Sequence, residues 1–287
     1  MGQAGQKTAF VFAGGGSLGA IQVGMLRVLL SAGIKPDFVI GTSAGAVNAA
    51  FFAGFPDEQG VVKLGALWAG IKRRDIFPFT LAQAFGLLRH PDNIVDSGGL
   101  RQLIEANLPY AQLEDAAIPV YIAATSIEGM AVLLSKGAAV DAILASTAIP
   151  GIFPPVHIGG QFLMDGAIAN NTPILAAANL GASRIVVLPT GIACALKEPP
   201  KGVIAKALHA VTLLIAWQVI RDLERIGDEI HVCIVPTLCP LDVSPYDFSA
   251  SRRLMLRSAA STRKWLRGGG LERRSQPQEF APHRHRH

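Results

Sequence analysis

Thr8-Ala-Phe-Val-Phe-Ala13 runs into Gly14-Gly15-Gly16-Ser17-Leu18-Gly19, and Phe38-Val-Ile40 runs into Gly41-Thr42-Ser43-Ala44-Gly45. Each pair is a short apolar run followed by a glycine turn and then a helical pattern, Leu18–Ala32 in one case and Ala44–Ala53 in the other. Gly33 stands where the first helix needs a C-cap. Further strands are expected at Pro119–Ile127, Ala131–Ser135, Phe162–Met164, Arg184–Pro189 and Ile230–Val235, with helices over Val140–Ser146 and from Pro173 to Gly181. Short apolar runs alternating with helices predict an α/β chain with a largely parallel sheet and helices on both faces.

The 287 residues suffice for one large α/β domain, expected over 8–267. Half the residues are apolar and mean hydropathy is +0.37. No run reaches the roughly 20 apolar residues that span a bilayer. Met1–Lys7 has no signal-peptide pattern, so a cytoplasmic location is the expectation. Cys194, Cys233 and Cys239 lack metal or disulfide spacing and are read as reduced thiols. From Arg252 onward ten Arg/Lys face Glu272 and Glu279, a net of +8, while the remainder has 16 Arg/Lys and 19 Asp/Glu, a net of −3. A basic arm on a near-neutral body is a solvated tail or a contact for anionic headgroups at the inner membrane face. Nucleic acid is excluded, because no recognition motif accompanies the charge. The pattern sets no oligomeric state.

Two segments depart from the alternation. Residues 57–110 read as a helical insertion whose stretch Ile76–Leu88 is rich in phenylalanine, either a cap lining an acyl channel or an ordinary packed insertion. Val203–Ile226 reads as one long helix, apolar almost all round between Ala210 and Trp217, which predicts burial in the core. Gly268-Gly-Gly270 ends the last helix, and residues 268–287 are expected to form a disordered basic tail. The histidines of that tail lack the fixed geometry of a metal site.

Gly41-x-Ser43-x-Gly45 between a strand and a helix presents a hydroxyl on a sharp turn, with the Ala44 amide at a helix N-terminus. Gly14, Gly15 and Gly16 also follow a strand and open a helix, and their amides form a nest for a developing negative charge. One such donor contributes about 3–4 kcal/mol to a transition state. Gly14-x-Gly16-x-x-Gly19 also matches the dinucleotide fingerprint, but that motif wants an acidic residue at the far end of strand two. Here Ile40-Gly41 runs straight into the serine turn and Asp37 lies at the near end, so no nucleotide cofactor is expected.

A serine nucleophile needs a base. An α/β-hydrolase places a histidine in a loop after its acid, whereas His209 falls in the apolar helix, His231 opens a strand and His157 precedes Asp165. Asp165-Gly166-Ala167 offers a carboxylate at a strand-to-loop corner, although Asp-Gly alone is also an ordinary turn. An esterase using a histidine and a catalytically silent lipid-binding protein are the alternatives.

Three blocks together resemble the patatin-like phospholipases: Gly14–Gly19 with Ala20-Ile-Gln-Val-Gly-Met-Leu26, Gly41-Thr-Ser-Ala-Gly-Ala-Val-Asn48, and Ala145-Ser-Thr-Ala-Ile-Pro-Gly-Ile-Phe-Pro-Pro155 leading to Asp165–Pro173. The likeness covers residues 8–180. It implies a three-layer α/β/α sandwich and hydrolysis of lipid acyl esters without a metal. It also implies Ser43 as nucleophile, Asp165 as base, and Gly14, Gly15, Gly16 and Ala44 as the oxyanion hole. Leu18 stands where the family commonly has Arg or Lys, which leaves the headgroup open.

Overall fold

The computed structural model describes residues 7–76, 95–191, 202–241 and 243–280. Residues 77–94, with most of the phenylalanine-rich stretch expected near an acyl channel, lie outside these, as do Cys194 and the last seven residues. Eight strands among the described residues form one sheet: β1 (Thr8–Phe12), β2 (Phe38–Thr42), β3 (Val120–Ser126), β4 (Ala131–Leu134), β5 (Val156–Ile158), β6 (Gln161–Asp165), β7 (Arg184–Leu188) and β8 (His231–Ile234). The helices are α1 (Gly19–Ser31), α2 (Ala44–Gly54), α3 (Glu58–Gly70), α4 (Arg73–Ile76), α5 (Gly98–Asn107), α6 (Ala139–Ser146), α7 (Ala167–Asn170), α8 (Ile174–Asn179), α9 (Val203–Arg225) and α10 (Ser251–Arg267).

β3, β2, β1, β7 and β8 pair in that order, all parallel, while β4 and β6 pair antiparallel with β3. Alternate residues of a strand point to opposite faces, and the core divides accordingly. Phe10 and Phe12 of β1 join Val186 and Leu188 of β7 in a core shared with α1, α2, α3, α5, α6 and α10. Ala9 and Val11 join Ile185 and Val187 in a second core under α8 and α9. The result is the expected three-layer sandwich. Burial on both faces explains why the parallel strands read as continuous apolar runs.

One edge of β3 is divided between two strands. β2 occupies Val120–Ala123 of it and β6 occupies Ala124–Ser126, while β4 pairs with Ile122–Thr125. Ile122 and Ala123 pair with both β2 and β4, and Ala124 and Thr125 with both β4 and β6. A strand residue has only two sides, so β2 and β6 must share the side opposite β4. They meet head to head there, with Thr42 opposite Ala123 and Asp165 opposite Ala124.

A buried polar chain stitches the first helices to the sheet. Gln22 Nε2 donates to the carbonyls of Ala13 (2.7 Å) and Leu188 (2.8 Å), at the ends of β1 and β7. Gln22 Oε1 accepts from Asn48 Nδ2 on α2 (2.7 Å), and Asn48 Oδ1 accepts from Trp68 Nε1 on α3 (2.7 Å). The described part of the 57–110 insertion is therefore packed: Val61, Leu64 and Trp68 of α3 are buried in the main core.

Two expectations are corrected. α9 lies in the outer layer, where Ile220, Leu223 and Ile226 form the stripe that packs inward, and Val211, Leu214 and Trp217 are exposed by 50%, 60% and 50%. An all-round apolar pattern implies burial only where protein covers both sides of the helix. The segment after Gly270 is also ordered as far as Phe280. Leu271 and Phe280 are buried, the Ser275 amide donates to the Val232 carbonyl (2.8 Å), and Ser275 Oγ accepts from the Ile234 amide (2.9 Å). Unpaired groups on β8 and two apolar side chains outweigh the polar composition.

Replacing Gln22 by methionine keeps the shape but strips hydrogen bonds from two buried carbonyls and from Asn48. Gln22→Met should lower unfolding free energy by about 2–4 kcal/mol in urea denaturation, and a loss below about 0.5 kcal/mol would show that the network adds little.

Candidate active site

The five residues Gly41–Gly45 turn from β2 into α2 with little room. A Cβ on Gly41 would run into the Gly45 carbonyl, and one on Gly45 into the Phe12 carbonyl. Here glycine is required for close backbone approach rather than for a special dihedral. Ser43 itself carries the strain, with φ 54° and ψ −125°, and it is the one non-glycine residue with positive φ among the described residues. Such a conformation costs about 1–3 kcal/mol and persists only where the surroundings enforce it.

Ser146 is part of that enforcement. Its Oγ accepts the Ser43 amide (2.8 Å) and donates to the Ala123 carbonyl on β3 (2.6 Å). The head-to-head strands bring Asp165 opposite. Ser43 Oγ donates to Asp165 Oδ2 at 2.7 Å, and the Ala167 amide donates to Asp165 Oδ1 at 2.8 Å. The Asp165 backbone is held by the Ala148 carbonyl (2.9 Å) and the Thr125 hydroxyl (2.9 Å). A Cβ on Gly166 would strike the Ala123 carbonyl, so this glycine is also a contact requirement.

Both side chains are buried, Ser43 at 7% and Asp165 at 4% exposure. Burial pushes the Asp165 carboxyl up to about 6, partly offset by the Ala167 amide and the Ser43 hydroxyl. The Tyr246 phenol is pushed up by its own burial and by the Asp165 charge, so it belongs to the same neighbourhood.

The glycine loop passes close beside Ser43: a Cβ on Gly14 would lie 3.2 Å from Ser43 Cβ. Gly16 has φ 57°, which suits glycine alone at low cost. Of the four amides expected to face an oxyanion, that of Gly14 is already engaged by the Asn171 carbonyl (3.1 Å). That amide is committed to Asn171, so Gly14 supplies no donor to an oxyanion. The amides of Gly15, Gly16 and Ala44 have no acceptor among the described residues. Gly19 is a packing position against Trp68.

Two later segments grip the loop. Thr190 Oγ1 donates to the Gly14 carbonyl (2.6 Å), and the Pro245 carbonyl accepts the Ser17 amide (2.8 Å). Thr190, Pro245 and Ser146 had no assigned role in the sequence. Ser146 sat within a quoted block, and Thr190 has only its place beyond β7, next to β1, to signal it.

The histidines lie elsewhere. His157 packs edge-on against Phe162, and His231 Nε2 meets the Leu271 carbonyl at the opposite end of the sheet from Ser43. The His209 side chain is outside the described residues. No group of three His, Cys, Asp or Glu residues with metal-binding geometry occurs among the described residues. No helix among them is long and apolar enough to cross a membrane.

A family model described as patatin-like phospholipase matches residues 10–178. The chain is 32% identical over 171 residues to the "Uncharacterized NTE family protein MT2641" of Mycobacterium tuberculosis, covering 59% of this chain and 28% of that protein. It is 31% identical over 191 residues to rat "Patatin-like phospholipase domain-containing protein 7", covering 65% of this chain and 14% of that protein. The chain thus spans under a third of either relative. In fold it is similar to VipD from Legionella pneumophila, with a TM-score of 0.50 and 14% identity, over 92% of this chain and 67% of that one.

The raised Asp165 pKa has a stability consequence. An acid whose folded pKa exceeds its unfolded value of 3.8 contributes stability that is complete below 3.8 and lost as pH rises through about 6. Asp165→Asn mimics the neutral form. Chemical denaturation from pH 4 to 7 should show the variant gaining about 1–3 kcal/mol on wild type; a gap independent of pH would contradict the burial penalty.

Proposed function

The chain belongs to the patatin-like phospholipase family, and from that premise we propose that it is a serine acyl hydrolase acting on lipid esters through Ser43 and Asp165. The observation that carries the reading is the 2.7 Å bond from the Ser43 hydroxyl to a buried Asp165 carboxylate, made by a serine held at positive φ. Ser43 Oγ attacks the ester carbonyl carbon as Asp165 Oδ2 takes its proton. The carbonyl oxygen becomes an oxyanion, stabilised by the amides of Gly15, Gly16 and Ala44, with the N-terminal dipole of α2 behind the last. The ester C–O bond then breaks and Asp165 returns the proton to the departing alcohol. Water, deprotonated by the same carboxylate, attacks the acyl-serine; the acyl–Oγ bond breaks, Asp165 returns the proton to Ser43 Oγ, and the fatty acid leaves.

Burial suits Asp165 to this task. A free aspartate is too weak a base near neutrality, and a pKa of about 6 brings it closer to the working pH while leaving it ionised. A lipid substrate is supported by the exposed apolar side chains Ile127, Met130 and Phe162, near the end of β3 toward which the parallel β2 runs, and by Ile168, three residues after Asp165. No step draws on a metal.

Hydrolysis of p-nitrophenyl esters tests the reading. Wild-type turnover should survive EDTA, vanish in Ser43→Ala and fall about 10²–10⁴-fold in Asp165→Asn. Because the base must be ionised, kcat/KM should decline as pH drops below about 6. Turnover by Ser43→Ala equal to wild type would sink the assignment.

A further inference from the structure

The glycine loop poses a mechanical problem. A peptide plane between two glycines has no Cβ on either side to resist rotation, so the amide of Gly15 is free to swing unless something fixes it. The Gly14–Gly15 bond is trans, and in a planar trans peptide the N–H and C=O point in opposite directions. Whatever holds the Gly14 carbonyl therefore also aims the Gly15 amide.

Thr190 holds it. This residue is 5% exposed, and its hydroxyl donates to the Gly14 carbonyl at 2.6 Å. The other contact, from Asn171 Nδ2, is long at 3.5 Å. Thr190 also fills the space where a side chain on residue 15 would stand, since a Cβ on Gly15 would strike its hydroxyl and its methyl. Gly14 itself lies against Asn171 and Ser43, since a Cβ on it would stand 2.5 Å from Asn171 Oδ1 and 3.2 Å from Ser43 Cβ. With its carbonyl drawn toward Thr190, the peptide turns its amide away from Thr190.

We propose that Thr190 is a positioning residue for the oxyanion hole: its hydroxyl locks the Gly14–Gly15 peptide so that the Gly15 amide faces the site above Ser43. Thr190 touches no reacting atom, and it lies beyond residues 10–178, so the matched stretch is completed by a residue outside it. The inference rests on the acyl-hydrolase reading, and the experiment separates the two.

Thr190→Val removes the donor and retains the branched shape, whereas Thr190→Ser retains the donor. On p-nitrophenyl butyrate, Thr190→Val should lose about 10–100-fold in kcat with KM within about twofold of wild type. Thr190→Ser should stay within about threefold. An alkyl boronic acid, which adds to the serine as a tetrahedral anion, should weaken in Thr190→Val in proportion to the loss of kcat/KM, and the pH limb should not move. If Thr190→Val does not fold, Thr190→Ala takes its place in the same comparison. Wild-type kcat in the hydroxyl-less variant would overturn the proposal, as would equal losses in the serine variant or a loss confined to KM. An inactive wild type, or an active Ser43→Ala, would instead remove the function on which it rests.

Discussion

The site depends on the division of one edge of β3. β2 arrives along that edge from one end and β6 from the other, and the hydrogen-bond register fixes where they meet. Ser43 leaves the end of β2 at that junction, and Asp165 is the last residue of β6. A one-residue slip of β6 would turn Asp165 to the opposite face of the sheet. Several glycines follow from the same crowding. Gly41, Gly45 and Gly166 occur where one backbone crosses another too closely for a Cβ. The Ser146 hydroxyl fastens the junction by linking the Ser43 amide to the β3 carbonyl of Ala123.

The site is costly to hold in place. It contains a serine at positive φ, a carboxylate buried against its charged state, and three amides with no acceptor among the described residues. Each opposes folding, as expected where strain and preorganisation serve chemistry. The opposing contribution is the two-sided core: nearly every residue of α1 is buried, and Gln22 spans from that helix to the ends of β1 and β7. The end of β1 carries the glycine loop, so a helix buried along nearly its whole length supports a permissive stretch of backbone.

Much of this was legible in the residues, because strand alternation and glycine placement are local signals. Ser43 and the glycine loop announced themselves through short motifs, whereas Asp165, in an Asp-Gly pair that alone reads as a turn, stood out through the family resemblance; the structure brings them together. Contacts between distant segments left little trace. Gly14 reads like its neighbours, yet its amide is taken by Asn171, a partner 157 positions away. Thr190 and Pro245 are unremarkable in sequence and become relevant only once β7 lies beside β1 and the loop before α10 folds back over Ser17. α1 and α9 make the same point in opposite directions. Both are rich in apolar residues, but α1 is covered by the sheet and by α10, whereas Val211, Leu214 and Trp217 of α9 stand exposed. Composition records how apolar a helix is, and the layer it occupies decides how much of it is covered.

The packing of residues 271–280 against β8 has a consequence for how copies of this chain meet. A parallel sheet that ends in a bare strand offers its outer row of N–H and C=O groups to any extended segment, including the same strand of another molecule. Here Ser275 occupies that row with its amide on Val232 and its hydroxyl on Ile234. Arg274 beside Asp228, together with buried Phe280, pins the segment on either side. A polar stretch expected to be disordered thus takes up part of the outer row of β8, and removing it would leave the Val232 carbonyl and the Ile234 amide without these partners.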